Sequence, residues 1–212
     1  IINEIASEKL INNFLPVVFN ICDGDEINNT PGISVVKLLK EEGLVFTGAD
    51  EFFYHITTSK INMKKAFEKA KVSTPAWFPI LSQHQNLESA FNLLGNTIII
   101  KPSVSGGSMG IGTQNVVTNI RDLKKQVDKL FSGYRGWVLD GDGLLAESFI
   151  SGQEFTTLIV GSYDNPTGAT LYHPVERIFH QSLPENEQFL SFDRLWEIYE
   201  EETPMPNDAN FY

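Results

Sequence analysis

The sequence predicts a mixed α/β (α+β) fold, and three observations carry that expectation. Apolar β-branched runs such as Val17-Val18-Phe19 and Ile98-Ile99-Ile100 alternate with stretches of helical period. Strand, helix and strand follow one another between Pro16 and Thr47, an order that implies parallel pairing. The 212 residues are 42% hydrophobic, ample for the core of one large domain or two small ones and incompatible with disorder by composition.

The elements follow in chain order. Glu4 to Phe14 reads as an amphipathic helix with Ile5, Leu10 and Phe14 inward, and Pro16 to Ile21 as a buried strand. After a loop from Asp23 to Gly32, Ile33 to Glu42 has helical spacing, Gly43 stops it, and Leu44 to Thr47 is a second strand. Lys60 to Lys71 is a helix with hydroxyl caps at Thr57 to Ser59, and its lysines at 64, 65, 69 and 71 read as a solvated face. Thr74 to Phe78 is extended, Leu87 to Leu94 helical, Asn96 to Lys101 a strand, and Ile120 to Phe131 a helix with alternating apolar and charged residues. The glycine-rich stretch from Ser132 to Gly143 is a loop. Leu144 to Val160 reads as a strand, a turn at Ser151-Gly152 and a second strand, and a further strand is expected from His173 to His180. The acidic stretch from Glu185 to Glu202, with aromatics at Phe189, Phe192, Trp196 and Tyr199, reads as a helix or loop covering a site.

Charge and cysteine content narrow the function classes. A net charge of −11 argues against nucleic acid or an acidic membrane surface as partner, because both need clustered cations. No apolar run is long enough to span a bilayer and no signal peptide is visible, so a cytoplasmic location is expected. A single cysteine, Cys22, excludes an intrachain disulfide and a cysteine-rich metal site. His173 and His180 lack metal-binding spacing, and their ordinary reading is as surface or packing residues.

Chemistry concentrates in two segments. Ile98 to Lys101 is a buried strand that delivers one cation and then empties into Pro102-Ser103-Val104-Ser105-Gly106-Gly107-Ser108-Met109-Gly110, a loop whose bare backbone N–H groups suit phosphate. The lysine precedes the glycines, which rules out a Walker A loop. An ordinary tight turn would use the same glycines, so the second segment matters. There, Glu147 and Glu154 flank Phe149-Ile150-Ser151-Gly152, and a carboxylate beside an apolar pair suits a purine nucleoside pocket. Two glutamates on a hairpin could equally be solvated edge residues.

Together these segments resemble the central part of an ATP-grasp enzyme, most of all the D-alanine–D-alanine ligase family. Upstream, Phe46-Thr47-Gly48-Ala49, Ser59-Lys60 and Ser73-Thr74-Pro75-Ala76-Trp77 are similar to that family's Tyr-Thr-Gly-Ser, Asp-Lys and Pro-x-x-Pro-Trp, with the same spacing from lysine to tryptophan. The resemblance runs over residues 17–162 and lies in the order of the motifs more than in any one of them. It implies an ATP-grasp fold preceded by part of a Rossmann-like N-terminal domain. Residues 1–58 would be that remainder, 59–143 the central subdomain and 144–212 the start of the C-terminal subdomain.

The function so implied is an ATP-dependent carboxylate–amine ligase that forms a dipeptide through an acyl phosphate, as in peptidoglycan precursor synthesis. ATP and Mg²⁺ would be its cofactors, amino acids its small-molecule substrates, and a homodimer its assembly. By alignment, Lys60 and Lys101 would meet phosphates, and Gly106, Gly107 and Ser108 would form the covering loop, with Ser108 the catalytic candidate. Glu147, Ser148, Phe149 and Ile150 would form the adenine edge and Glu154 would bind ribose. The loop from Ser103 to Gly112 would be mobile without nucleotide, with only Met109 and Ile111 to pin it.

Three departures qualify the substrate. The family's loop reads Gly-Ser-Ser, whereas Gly107 stands at the first serine here, so D-alanine specificity does not follow. The glutamate that binds the first amino acid's ammonium would lie upstream of Ile1. The metal ligands would follow Tyr212, with Asp208 and Asn210 poor substitutes for paired carboxylates. No metal ligand is therefore expected within the chain, and the 212-residue stretch by itself is expected to be inactive. An L-amino-acid or other ATP-grasp ligase, and a non-catalytic nucleotide-binding pseudoenzyme module, are the other readings of the same residues.

Overall fold

The computed structural model describes residues 1–12, 14–162, 165–179 and 182–196. Helix α1 (Ile2–Asn12), strand β1 (Val17–Val18), helix α2 (Ile33–Glu41) and strand β2 (Val45–Phe46) form the expected strand-helix-strand unit, and β1 pairs with β2 in parallel. Gly43 ends α2 with φ of 61°, a conformation that costs glycine little. Ala6, Leu39 and Leu44 form a small core against Ile2, Ile5, Val18, Val35 and Phe46.

Two expectations need correction here. The strand predicted from Pro16 to Ile21 has only two paired residues, and Val17, Phe19 and Ile21 are 61%, 78% and 76% exposed. A two-residue strand with a single neighbour can bury only the side facing its helices, so the apolar run is not a core strand. Phe14, predicted to point inward, lies beyond α1 and is exposed.

Helix α3 (Glu51–Thr57) was not anticipated; its start is capped by Asp50, whose carboxylate accepts from the Phe53 amide at 3.0 Å. Helix α4 (Lys60–Lys69) begins at Ser59, the cap expected from the hydroxyl-rich sequence before it. Strand β3 (Trp77–Ile80), helix α5 (Ala90–Leu94), strand β4 (Ile98–Pro102), strand β5 (Val116–Val117), helix α6 (Ile120–Phe131) and strand β6 (Leu144–Ser148) build the centre of the molecule. Its sheet runs β3-β6-β4-β5 and every pairing is antiparallel. Helix α6 has the predicted bounds; Asn119 caps it through the Asp122 amide at 3.0 Å, and Leu123, Val127 and Leu130 are buried on one face. They pack with Ile80, Leu94, Ile98, Ile100, Leu144 and Ala146 into the main core.

Downstream come strands β7 (Glu154–Thr156), β8 (Ile159–Ser162), β9 (Asn165–Leu171) and β10 (Val175–Arg177), then helix α7 (Phe192–Trp196). β7 pairs with β10 and β8 with β9, both antiparallel, as two-stranded ribbons. β6 and β7, which read in sequence as one strand-turn-strand unit, are not paired with each other. β6 is the second strand of the four-stranded sheet, and its edges are already taken by β3 and β4. His173 lies in the exposed stretch before β10, whereas His180, Tyr199, Asp208 and Asn210 fall outside the described residues.

Candidate active site

The site is assembled at the ends of α4, β4 and β6. The N-terminus of α4 is stitched to the loop after β4: the Lys60 amide donates to the Ser103 carbonyl at 2.8 Å, and the Ser59 and Ser103 hydroxyls lie 3.0 Å apart. Ser59 also donates to the Asp142 carboxylate, and Ser103 takes the Gly143 carbonyl at 3.0 Å. This is why Lys60 emerges over the loop, where its ammonium donates to the Ser105 carbonyl at 3.0 Å and to the Ser105 hydroxyl at 2.9 Å.

Antiparallel register places Ile99 of β4 and Trp77 of β3 beside Glu147 of β6. The Glu147 side chain is buried, and two lysines close on it: Lys101 on one oxygen and Lys64 on the other at 2.6 Å. Lys64 is itself buried and donates further to the Thr74 hydroxyl at 2.5 Å and the Pro75 carbonyl at 3.4 Å. Burial pushes the Glu147 carboxyl up, but Lys101 and Lys64 outweigh it and hold the group below its ordinary range. For Lys60, desolvation and the nearby Lys101 charge outweigh Glu147 and Asp25 and lower the ammonium to about 8.

Lys64 corrects the expectation that every lysine of α4 except Lys60 is solvated. Its charge is satisfied by Glu147, and a buried ammonium persists only with such a partner. Helical spacing carries the signal in retrospect, since Lys60 and Lys64 lie four residues apart on one face.

A cleft of about 400 Å³ is lined by Lys60, Lys101, Ser108, Glu147, Ser148, Phe149, Ile150 and Glu154. Eight of the residues singled out from sequence thus meet in one space. Gly106 and Gly107 do not line it; they border a neighbouring cavity instead. Phe189 and Leu190 close the cleft from the segment before α7, and Phe189 meets the Phe149 ring edge-on with centroids 5.9 Å apart. Glu154 is paired with Arg177 at 3.0 Å across the β7–β10 ribbon and accepts from the Leu190 amide at 3.3 Å.

The Ser103–Gly112 loop has more anchors than Met109 and Ile111. Asn115, fully buried, donates to the Ile100 and Gly110 carbonyls at 2.7 and 2.8 Å and accepts from the Gly112 amide at 2.9 Å. The Ser108 hydroxyl donates to the Leu190 carbonyl at 3.0 Å, and the Trp196 indole donates to the Gly107 carbonyl at 2.8 Å. These partners are distant in sequence, which is why no local pattern reveals them.

No protein-family model matches the chain. Among curated proteins it is 30% identical over 120 residues to the D-alanine–D-alanine ligase of Bordetella petrii, a match covering 57% of this chain and 33% of that protein. Among solved structures, D-alanyl-alanine synthetase A of Vibrio cholerae superposes with a TM-score of 0.57 at 13% identity, over 72% of this chain and 45% of that one. The Bacillus anthracis D-alanine–D-alanine ligase complexed with ATP gives a TM-score of 0.51 at 16% identity, over 84% of this chain and 57% of that one. The chain spans about a third to a half of the length of the curated relatives it matches.

The fold is the ATP-grasp fold of these solved structures, with a lysine-lined cleft beside its sheet. In sequence, the chain is similar to D-alanine–D-alanine ligases over part of their length.

Proposed function

We propose that the protein containing this chain is an ATP-dependent carboxylate–amine ligase of the D-alanine–D-alanine ligase type, and that the cleft of this chain holds its nucleotide. The observation that carries the reading is the convergence of Lys60, Lys101, Ser108 and the Phe149-Ile150 pair on one cleft. Bound ATP supplies the phosphoryl group: it passes to a substrate carboxylate oxygen, giving an acyl phosphate and ADP. An amine then attacks the acyl carbon, loses a proton and expels phosphate, leaving an amide.

The chain's own residues act by binding, orienting and excluding water. Lys60 and Lys101 offset phosphate charge, and Glu147 fixes the direction from which Lys101 approaches. Phe149 and Ile150 supply apolar surface for the base. The Ser148 and Phe149 amides are committed to the Ala76 and Thr97 carbonyls at 2.9 and 3.0 Å, so of the expected adenine-edge amides Ile150 is the one we assign to the base. Phe189 and Leu190 keep water from the reacting phosphate. Among the described residues no group of three or more His, Cys, Asp or Glu could hold a metal ion, and no step is routed through Mg²⁺. Among those residues, too, no helix is long and apolar enough to cross a membrane. A cytoplasmic enzyme acting on amino acids is the setting we infer.

Calorimetric titration with a non-hydrolysable ATP analogue tests the nucleotide assignment. Lys101→Ala removes a charge-assisted phosphate contact and should weaken binding by about 1.5–3 kcal/mol. Unchanged affinity would sink the assignment of Lys101 to phosphate.

A further inference from the structure

On the far side of the Gly/Ser loop lies a second cavity of about 660 Å³, bordered by Gly106 and Gly107, whereas the next residue, Ser108, lines the nucleotide cleft. One loop therefore bounds both spaces. A substrate placed there would sit across the loop from the lysines.

One wall of this cavity is apolar. Met109, Trp137, Phe192 and Trp196 line it, with Trp137 and Phe192 packed edge to face at 4.7 Å and the Phe192 and Trp196 rings tilted to each other at 6.4 Å. The wall is fixed to the loop at two points: the Phe192 amide donates to the Ile111 carbonyl at 2.8 Å and the Trp196 indole to the Gly107 carbonyl at 2.8 Å. Arg135, ion-paired with Asp193 at 3.0 Å, also lies over the Phe192 ring.

Gly107 is part of the same design. Its φ is +52°, and a Cβ there would stand 3.2 Å from Cζ2 of Trp196, so a side chain is disfavoured both by the backbone and by the ring. Where the resembling ligases carry their first loop serine, this chain has an indole face and no hydroxyl. The departure noted in the sequence thus has a partner in space.

The lining also carries two carboxylates in different states. Asp25 is consumed locally, accepting from the Ile27 and Asn28 amides and the Thr30 hydroxyl. Asp23 is exposed, borders the cavity and has no hydrogen-bond or ion-pair partner among the described residues. A free carboxylate and an aromatic wall lining one cavity match a molecule with an ammonium at one end and an apolar group at the other.

We propose that this cavity takes an amino acid with a bulky apolar side chain, seated on the Met109, Trp137, Phe192 and Trp196 wall with its ammonium at Asp23. The proposal rests on the ligase reading for its place in the reaction and names the substrate class. An alanine methyl would leave most of the wall wet, whereas each further methylene buried against it adds affinity.

Two of the three tryptophans line the cavity, so intrinsic fluorescence of the chain reports on it. The chain is titrated with leucine and phenylalanine in both L and D forms and with D-alanine, first without nucleotide and then with a non-hydrolysable ATP analogue. At least one bulky amino acid should bind about tenfold or more tightly than D-alanine. Asp23→Asn should weaken every amino acid, and Trp196→Ala should erase the preference for bulk. Trp196→Phe, which keeps an aromatic wall, should retain much of it and controls for folding. D-alanine binding as tightly as the bulky amino acids, or no saturable response to any of them in a folded chain, overturns the proposal. Calorimetry on the same sample reads nucleotide affinity separately: bulky-amino-acid preference without ATP binding would support the cavity assignment while removing the ligase reading.

Discussion

The two glutamates singled out by sequence, Glu147 and Glu154, sit seven residues apart and meet different fates. Glu147 lies on β6, flanked by β3 and β4, and its buried carboxylate is locked between Lys64 and Lys101. Glu154 lies on β7, which has one partner strand, and its side chain is 36% exposed against Arg177. The same contrast holds for apolar runs: Ile98 and Ile100 of β4 are fully buried, whereas Ile159 and Val160 of the β8–β9 ribbon are 63% and 53% exposed. Local pattern marks a strand; the number of neighbours decides whether its side chains, charged or apolar, leave water. A charge that leaves water becomes structural, and one that does not stays available to a ligand.

The strongest way to break this comparison is to remove the buried carboxylate. Glu147→Ala leaves Lys64 buried, with only a hydroxyl and a carbonyl for its ammonium, and should destabilise the fold by about 3–5 kcal/mol in urea unfolding. A loss below about 1 kcal/mol, the scale of a surface pair, would show that the Lys64–Glu147 contact is solvated. The acid side carries a sign. Because the Glu147 carboxyl is held below its unfolded value, its contribution is present above the unfolded value and is lost as pH falls through the lower folded one.

A smaller effect sharpens the comparison at Lys60, a cation only partly withdrawn from water. With its ammonium lowered to about 8 in the free protein, Lys60 loses its proton as pH rises from 7 to 9. Bound phosphate favours the charged form, so nucleotide affinity should fall over that range by up to about tenfold. Lys60→Arg keeps its charge throughout and should flatten the profile. A profile that stays steep in that variant would place the titrating group elsewhere.

Much of the site was legible because its spacing is local. The strand ending at Lys101, the Gly/Ser loop and the Glu147 to Glu154 segment each occupy one stretch, and seven of those residues meet Lys60 in the cleft. What the sequence hid is non-local. Lys64 reads as a solvated lysine until β6 brings Glu147 to it, and Asn115 reads as a loop residue until it gathers the carbonyls of Ile100 and Gly110. Gly107 reads as a flexible loop glycine until Trp196, 89 residues on, is found against it. The Pro16 to Ile21 run failed in the other direction, since its apolar pattern is that of a core strand but its sheet has two strands.

The smallest expected effect belongs to the half-buried Glu154, and it tests whether exposure means availability. Arg177 and the Leu190 amide use one direction of each Glu154 oxygen, and a carboxylate accepts in about four directions, so room remains for ribose hydroxyls. Glu154→Gln should change folding stability by less than about 1 kcal/mol, because the ion pair it breaks is solvated. On nucleotide the reading demands a specific loss: wild type should prefer ATP over its 2′,3′-dideoxy analogue by about 0.5–1.5 kcal/mol, and the variant should narrow that gap. An undiminished gap in the variant would leave Glu154 as an edge residue that ties β7 to β10 and the Leu190 backbone, and the ribose contact would have to come from another side of the cleft.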